Sequence, residues 1–340
     1  MNSDRLIETA GLMVAPGKGL LAADESAPTI EKRLSAVGVE STEATRKAYR
    51  ELLFTAPGIE NYISGVILYD ETLRQQSSTG TPFAQLLEAR GILPGIKVDE
   101  GAKDFALHPG EKVTEGLDGL RERFAEYRKL GARFSKWRAV ITIAPGGLPS
   151  DACIAANAHA LARYAALAQE AEIVPIVEPE VLIDGAHSLV ECETASSRTL
   201  ACVFAELREQ GVLLEGMVLK PSMVIAGKQC PEQSSVAEVA AETLRTLRRS
   251  VPAAVGGIAF LSGGQTPEQA TAHLDAMNRA GPLPWPLTFS YARALQNPVL
   301  DLWRGKPANA AAAAAAFAAR ARLNHLARRG EYDVAMEQAA

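Results

Sequence analysis

Short apolar runs rich in β-branched and aromatic residues alternate along this chain with longer stretches in which apolar positions recur every three or four residues. The short runs predict strands at Leu20–Ala23, Ile63–Tyr69, Gly95–Val98, Phe134–Ile141, Ile173–Val181, Met217–Lys220, Gly257–Leu261 and Leu287–Ser290. The longer stretches predict helices. One covers 41–56 behind Ser and Thr caps, and one covers 116–131 and closes on Gly131. Others lie near Asp151–Glu172, Ser188–Gln210, Ser235–Ser250 and Pro267–Ala280. Strands alternating with helices imply parallel βαβ units, and eight of them imply a closed (β/α)₈ TIM barrel rather than an open doubly wound sheet. No GxGxxG follows the first strand, which argues against dinucleotide binding. No linker divides residues 1–340, so one barrel domain is expected, with extra N- and C-terminal helices. The alanine-rich stretch from about 308 has Phe317, Leu323 and Leu326 to dock it as a helix outside the barrel, followed by a short tail.

Composition narrows the function classes. The 340 residues carry a net charge of −5 and are 47% hydrophobic, so a large core is available and no basic stripe suggests nucleic-acid binding. The acidic residues of the first segment do not make a signal peptide, and no apolar run approaches the roughly 18 residues of a membrane span. Cys153, Cys192, Cys202 and Cys230 form no CxxC pair and read as reduced thiols of a cytoplasmic protein. The histidines at 108, 159, 187, 273 and 325 are scattered without ligand spacing, so neither a catalytic metal nor another cofactor is expected.

Charged residues inside or ending strands are the informative ones, because strand interiors rarely hold them. Asp24 ends the first strand, Lys97 and Asp99 the third, and Lys220 the sixth. Lys136 and Arg138 lie in the fourth, and Glu178 and Glu180 in the fifth. Residues two apart share a strand face, so each of these pairs points one way. In barrels of this class the C-terminal strand ends carry the active site. A lysine nucleophile must be neutral, yet with an ordinary pKa near 10.4 only about one in a few thousand is neutral at pH 7. A neighbouring cation and apolar walls favour the neutral form, and carboxylates can carry the protons of imine formation. Lys220 ends an apolar run, and Lys136 offers the second cation. The bland alternative is an ion-pair network that only balances charge at the barrel mouth.

A phosphate site is the second signal. LSGGQTPEQA follows the seventh strand. Gly263 and Gly264 let backbone approach an anion, and Thr266-Pro267-Glu268 reads as a capped helix start. FSYARALQ follows the eighth strand and offers Arg293. The loops after strands seven and eight often hold phosphate in such barrels.

These segments together resemble class I fructose-bisphosphate aldolases: GKGLLAADES, PGIKVD, FSKWR, PIVEPEVL, VLKPSMV, FLSGGQ and FSYARALQNP, in that order over most of the chain. The resemblance implies a Schiff base on Lys220, proton transfer by Glu178, proton abstraction from the C4 hydroxyl by Asp24, Lys136 beside the imine and Glu180 orienting the pair. It implies one phosphate on Ser262, Gly263, Gly264, Ser290 and Arg293. The other would fall to Thr29, Arg33, Lys97 and Arg138, near Ser26, although Arg33 could equally serve the first. It further implies a phosphorylated sugar substrate and a homotetramer in glycolysis or gluconeogenesis. Three positions depart from the family pattern. Ala292 stands where a glycine is common, Thr29 follows Pro28 where Ser or Cys is common, and Tyr332 does not match the family's terminal tyrosine. An aldolase for another sugar phosphate, such as sedoheptulose bisphosphate, and a non-catalytic barrel scaffold are the rival readings. The scaffold would be expected to lose the central lysine, which this chain keeps.

Overall fold

The computed structural model describes residues 2–339. Eight parallel strands form a closed barrel: β1 Gly19–Ala23, β2 Ile63–Leu68, β3 Leu93–Lys97, β4 Phe134–Ile141, β5 Val174–Val181, β6 Val218–Leu219, β7 Ile258–Phe260 and β8 Leu287–Tyr291. Strand β1 pairs with both β2 and β8 and so closes the ring. The predicted strands all exist and differ from the observed ones only at their ends. The shortest is β6, which keeps two residues. Lys220 nevertheless continues its ladder, donating its amide to the Val177 carbonyl at 2.8 Å.

Alternation within each strand separates the barrel interior from the layer beneath the helices. Leu20, Ala22, Ile67, Phe134, Val174, Ile176, Val218 and Ala259 form the interior cluster. The N-terminal helix Ser3–Met13 belongs to it: Leu6, Ala10 and Met13 on its apolar face, with Val14, plug one end of the barrel. The Phe134 ring fills so much of this space that a Cβ on Gly95 would lie 2.3 Å from it. Glycine is what lets β3 pass there.

The predicted outer helices appear at Glu43–Thr55, Leu120–Lys129, Asp151–Glu170, Leu189–Glu209, Val236–Ser250 and Pro267–Arg279. Helices at Ala27–Ala36 and Arg293–Trp303 also form, as does an antiparallel pair of short strands, Ala102–Asp104 with Lys112–Thr114. The alanine-rich helix runs from Ala310 to Arg328 with Phe317 and Leu323 fully buried. Its tail folds back. Tyr332 is buried, its hydroxyl donates to Glu337 at 2.8 Å, and its amide donates to Asp275 at 2.9 Å. Tyr332 thus anchors the tail to the Pro267–Arg279 helix. No helix among the described residues is long and apolar enough to cross a membrane.

Candidate active site

The strand faces that supply the interior cluster change character toward their C-terminal ends. Leu20 and Ala22 lead to Asp24, Gly95 to Lys97, Phe134 to Lys136 and Arg138, Ile176 to Glu178 and Glu180, and Val218 to Lys220. Each step is two residues, so each charged side chain enters the same space as the apolar one before it. They converge on a cavity of ≈ 440 Å³ at the barrel mouth, lined by all of these charged residues.

Lys136 sits at the centre. Its Nζ lies 2.9 Å from Asp24 Oδ2, 3.5 Å from Glu178 Oε2 and 3.8 Å from Asp99 Oδ2. Lys220 Nζ faces Glu178 Oε1 at 3.2 Å. Lys136, Glu178 and Lys220 are each at most 4% exposed. Burial alone pulls the Lys136 ammonium toward the neutral form, but Asp24, Glu178 and Asp99 outweigh it and hold it charged, above the ordinary lysine range. Burial likewise pushes the Asp24 carboxyl up, yet Lys136, with Lys220 and Lys97 behind it, holds it well below the usual carboxylate range. The two buried lysines are therefore unlike. Lys136 is locked as a cation among three carboxylates, whereas Lys220 meets one. Glu178 stands between them, and its Oε2 has no hydrogen-bond donor among the described residues. Arg138 Nε pairs with Glu180, and Lys97 Nζ pairs with Asp99 at 2.6 Å.

One rim of the cavity is built from the loops after β7 and β8. Ser262 to Gln265 make a tight turn closed by the Gln265 amide donating to the Ser262 carbonyl at 2.9 Å, with Gly263 at φ 57° and Gly264 at φ 92°. Positive φ at two consecutive positions is what glycine supplies there. Thr266 caps the helix that follows, accepting from the Gln269 amide at 3.2 Å, with Pro267 as its first residue. Ser290 is 1% exposed, and its hydroxyl has no partner among the described residues, so it is free to meet a ligand in the cavity it lines. Arg293 stands exposed at this rim. Ala292, where a glycine is common, has φ −102° and does not take the left-handed conformation that would call for glycine.

The opposite rim holds Lys97, Arg138, Ser26 and Thr29, with the Ser26 and Thr29 hydroxyls 3.1 Å apart. These four residues also line an adjoining cavity of ≈ 450 Å³ that continues past Tyr69, Asp70 and Arg123. Arg33 lines the mouth too, with a partner that no local pattern marks. It pairs with Glu25, which also accepts from Arg50 at 2.6 Å and from Gln296 at 2.9 Å. Burial pushes the Glu25 carboxyl up, and Arg50 and Arg33 more than reverse this.

Several residues at the site were not singled out from sequence. Asp99 was noted at a strand end without a role, although it is a partner of both Lys97 and Lys136. Glu25 was hidden by its neighbour. It lies one step beyond Asp24, past the end of the strand, and its partners lie up to 271 residues away. Two of the scattered histidines are buried: His187, and His273, whose Nδ1 lies 2.5 Å from Gln265 Oε1 behind the glycine turn.

Comparisons with known proteins match nearly the whole chain. The family model described as fructose-bisphosphate aldolase class-I matches residues 5–340. A probable fructose-bisphosphate aldolase class 1 of Xanthomonas axonopodis pv. citri is 56% identical over 333 residues, which span 98% of this chain and 99% of that one. Fructose-bisphosphate aldolase 1 of Toxoplasma gondii is 52% identical over 328 residues, covering 96% and 90%. Among solved structures, fructose-bisphosphate aldolase from Plasmodium falciparum, in complex with TRAP and a small-molecule inhibitor, superposes with a TM-score of 0.96 at 48% identity, covering 98% of this chain and 97% of that one.

Proposed function

Since the chain belongs to the class I fructose-bisphosphate aldolase family, we propose that Lys220 is its covalent residue and that the residues around it divide the proton transfers of a Schiff-base aldol cleavage. The enzyme is a carbon–carbon lyase that reversibly cleaves fructose 1,6-bisphosphate to dihydroxyacetone phosphate and glyceraldehyde 3-phosphate. The observation that carries the assignment is the contrast between the two buried lysines. The lysine that must lose its proton to attack a ketone is the one facing a single carboxylate at 3.2 Å.

Neutral Lys220 attacks the C2 carbonyl, and Glu178 passes protons so that the carbinolamine loses water and the iminium forms. Asp24, held as a carboxylate, takes the proton from the C4 hydroxyl. The C3–C4 bond then breaks, its electron pair moves into the iminium as an enamine, and the aldehyde leaves. Lys136 keeps Asp24 and Glu178 in place with its fixed positive charge, and Arg138 holds Glu180 beside them. Protonation of the enamine and hydrolysis of the imine return Lys220. No metal or other cofactor is needed in this scheme.

Ser262, Gly263, Gly264, Ser290 and Arg293 hold the phosphate on the ketone side. Lys97, Arg138, Ser26 and Thr29 hold the aldehyde-side phosphate across the mouth. Arg33, tied to Glu25, faces the cavity between them. By the same family reading the enzyme is one domain with a docked C-terminal helix and tail, and works in the cytoplasm as a homotetramer in glycolysis or gluconeogenesis. The adjoining cavity leaves room for a longer aldehyde half, so sedoheptulose bisphosphate is the second substrate to assay.

Steady-state kinetics on the bisphosphate and on fructose 1-phosphate test the two ends. Arg293→Ala should raise KM about tenfold or more on both, because both carry the ketone-side phosphate. Arg138→Ala should weaken mainly the bisphosphate. Equal loss on both substrates for Arg138→Ala would show that the second phosphate is wrongly placed.

A further inference from the structure

We propose that Lys228 is an additional phosphate-binding cation of the ketone-side end, set across Gly264 from Arg293 and held ready by Asp184. The inference rests on the placement of that phosphate at the Ser262–Gln265 turn.

Lys228 lies in the long loop after β6, remote in sequence from both phosphate loops, and the chain must be folded around it with care to bring it there. The segment after β5 and the segment around Lys228 are laced together. The Lys228 amide donates to the Ile183 carbonyl at 2.9 Å, the Gln229 amide to the Gly185 carbonyl at 2.9 Å, and the Gly227 amide to the His187 carbonyl at 2.8 Å. The Gln229 side chain returns the contact by accepting from the Gly185 amide at 2.6 Å. The two backbones pass so closely that a Cβ on Gly227 would sit 2.2 Å from the Gly185 carbonyl oxygen, so only glycine permits the approach.

This lacing fixes the stem of Lys228, and its head group reaches the glycine turn. A Cβ placed on Gly264 would lie 2.6 Å from Lys228 Nζ and 3.3 Å from Arg293 Nη2. An ammonium and a guanidinium therefore close on one residue of a turn whose backbone is already suited to an anion. Two cations so near each other repel, and an anion seated on the turn would satisfy both. Lys228 has a counter-ion, Asp184, but the contact is 3.4 Å long and its partners are exposed, with side chains 37% and 67% accessible. Such a pair holds loosely and can be exchanged for a doubly charged phosphate. Asp184 thus restrains the lysine in the empty site and competes with the substrate for it.

Competition gives the two partners opposite signs, which a merely structural ion pair would not. Lys228→Met, which keeps the stem, should raise KM about threefold to tenfold for both fructose 1,6-bisphosphate and fructose 1-phosphate, and should weaken competitive inhibition by inorganic phosphate to a similar extent. kcat should stay close to the parent value. Lys228→Arg should restore most of the loss. Asp184→Asn should lower both KM values and the inhibition constant of inorganic phosphate. Arg293→Ala, measured in parallel, separates this inference from the reading it rests on. If Arg293→Ala weakens both substrates while Lys228→Met changes neither, Lys228 is not a phosphate ligand and the inference falls alone. If Lys228→Met and Asp184→Asn weaken binding alike, the pair only clasps two loops, and the inference falls. If neither Arg293→Ala nor Lys228→Met changes either substrate, the phosphate lies elsewhere and both fall.

Discussion

The floor and the mouth of this barrel are lined by the same strand faces, yet they do opposite work. On β4 the inward residues run from Phe134 at the floor to Lys136 and Arg138 at the mouth. On β5 they run from Val174 and Ile176 to Glu178 and Glu180, and on β1 from Leu20 and Ala22 to Asp24. The floor is apolar, closed by the N-terminal helix and packed around one phenylalanine ring. Burial there is favourable in itself, at about 25 cal/mol per Å² of apolar surface. At the mouth burial is unfavourable for every charged group, and only the mutual arrangement of Asp24, Asp99, Lys136, Glu178 and Lys220 makes it tolerable. The floor maintains a shape, and the mouth holds charges where chemistry needs them. Mutations at the two ends should therefore separate stability from rate.

Lys220→Met should show the largest effect. It removes the proposed nucleophile but keeps the packing, so kcat should fall on the order of 10⁴-fold or more. Unfolding free energy should fall by less than the roughly 3–5 kcal/mol of a fully broken buried pair, because Glu178 still faces Lys136 at 3.5 Å. Glu178→Gln should lower kcat by about 10²- to 10⁴-fold, read in the same assay. Phe134→Ala is the mirror experiment at the floor. It should cost about 3–5 kcal/mol in denaturant unfolding and leave KM for the bisphosphate near its parent value. If the floor mutation damaged rate more than stability, the division between the two ends would not hold.

His273 sharpens the comparison from outside the barrel, since it supports a mouth loop through Gln265 but should act on stability. Burial pushes its ring down to about 4, against 6.5 for a free histidine. The unfolded chain therefore takes up the proton first as the pH falls. The stability that neutral His273 contributes is complete above about pH 6.5, shrinks below it, and is lost as the pH passes through about 4. Between pH 7.5 and pH 5 the parent protein should lose about 2 kcal/mol from this residue. Urea unfolding at the two pH values should show that loss in the parent and not in His273→Asn.

The barrel was legible in the sequence because each strand is a short apolar run and each outer helix has its own apolar period. The charged steps at 136 and 138 and at 178 and 180 were legible for the same reason, since alternation on a strand fixes the face. What escaped the sequence were contacts made by tertiary approach. The first helix is amphipathic, but nothing in its pattern says that its partner is the barrel floor. The Ala102–Asp104 and Lys112–Thr114 strands are three residues each and largely polar, too short for alternation to speak. Glu25 gathers Arg33, Arg50 and Gln296 from three helices. Lys228 reaches Gly264 only because two glycine-bearing loops interlock. Ala292 stood out in the sequence as a departure, and its negative φ shows that the position does not use the left-handed conformation glycine would supply.

The proposed mechanism requires Lys220, and neither Lys136 nor Lys97, to form the covalent bond. Sodium borohydride reduction with dihydroxyacetone phosphate present, followed by peptide mass mapping, tests it directly. Activity should be lost as one reduced adduct per chain accumulates on the peptide containing Lys220. An adduct on Lys136 or Lys97, with Lys220 unmodified, would contradict it.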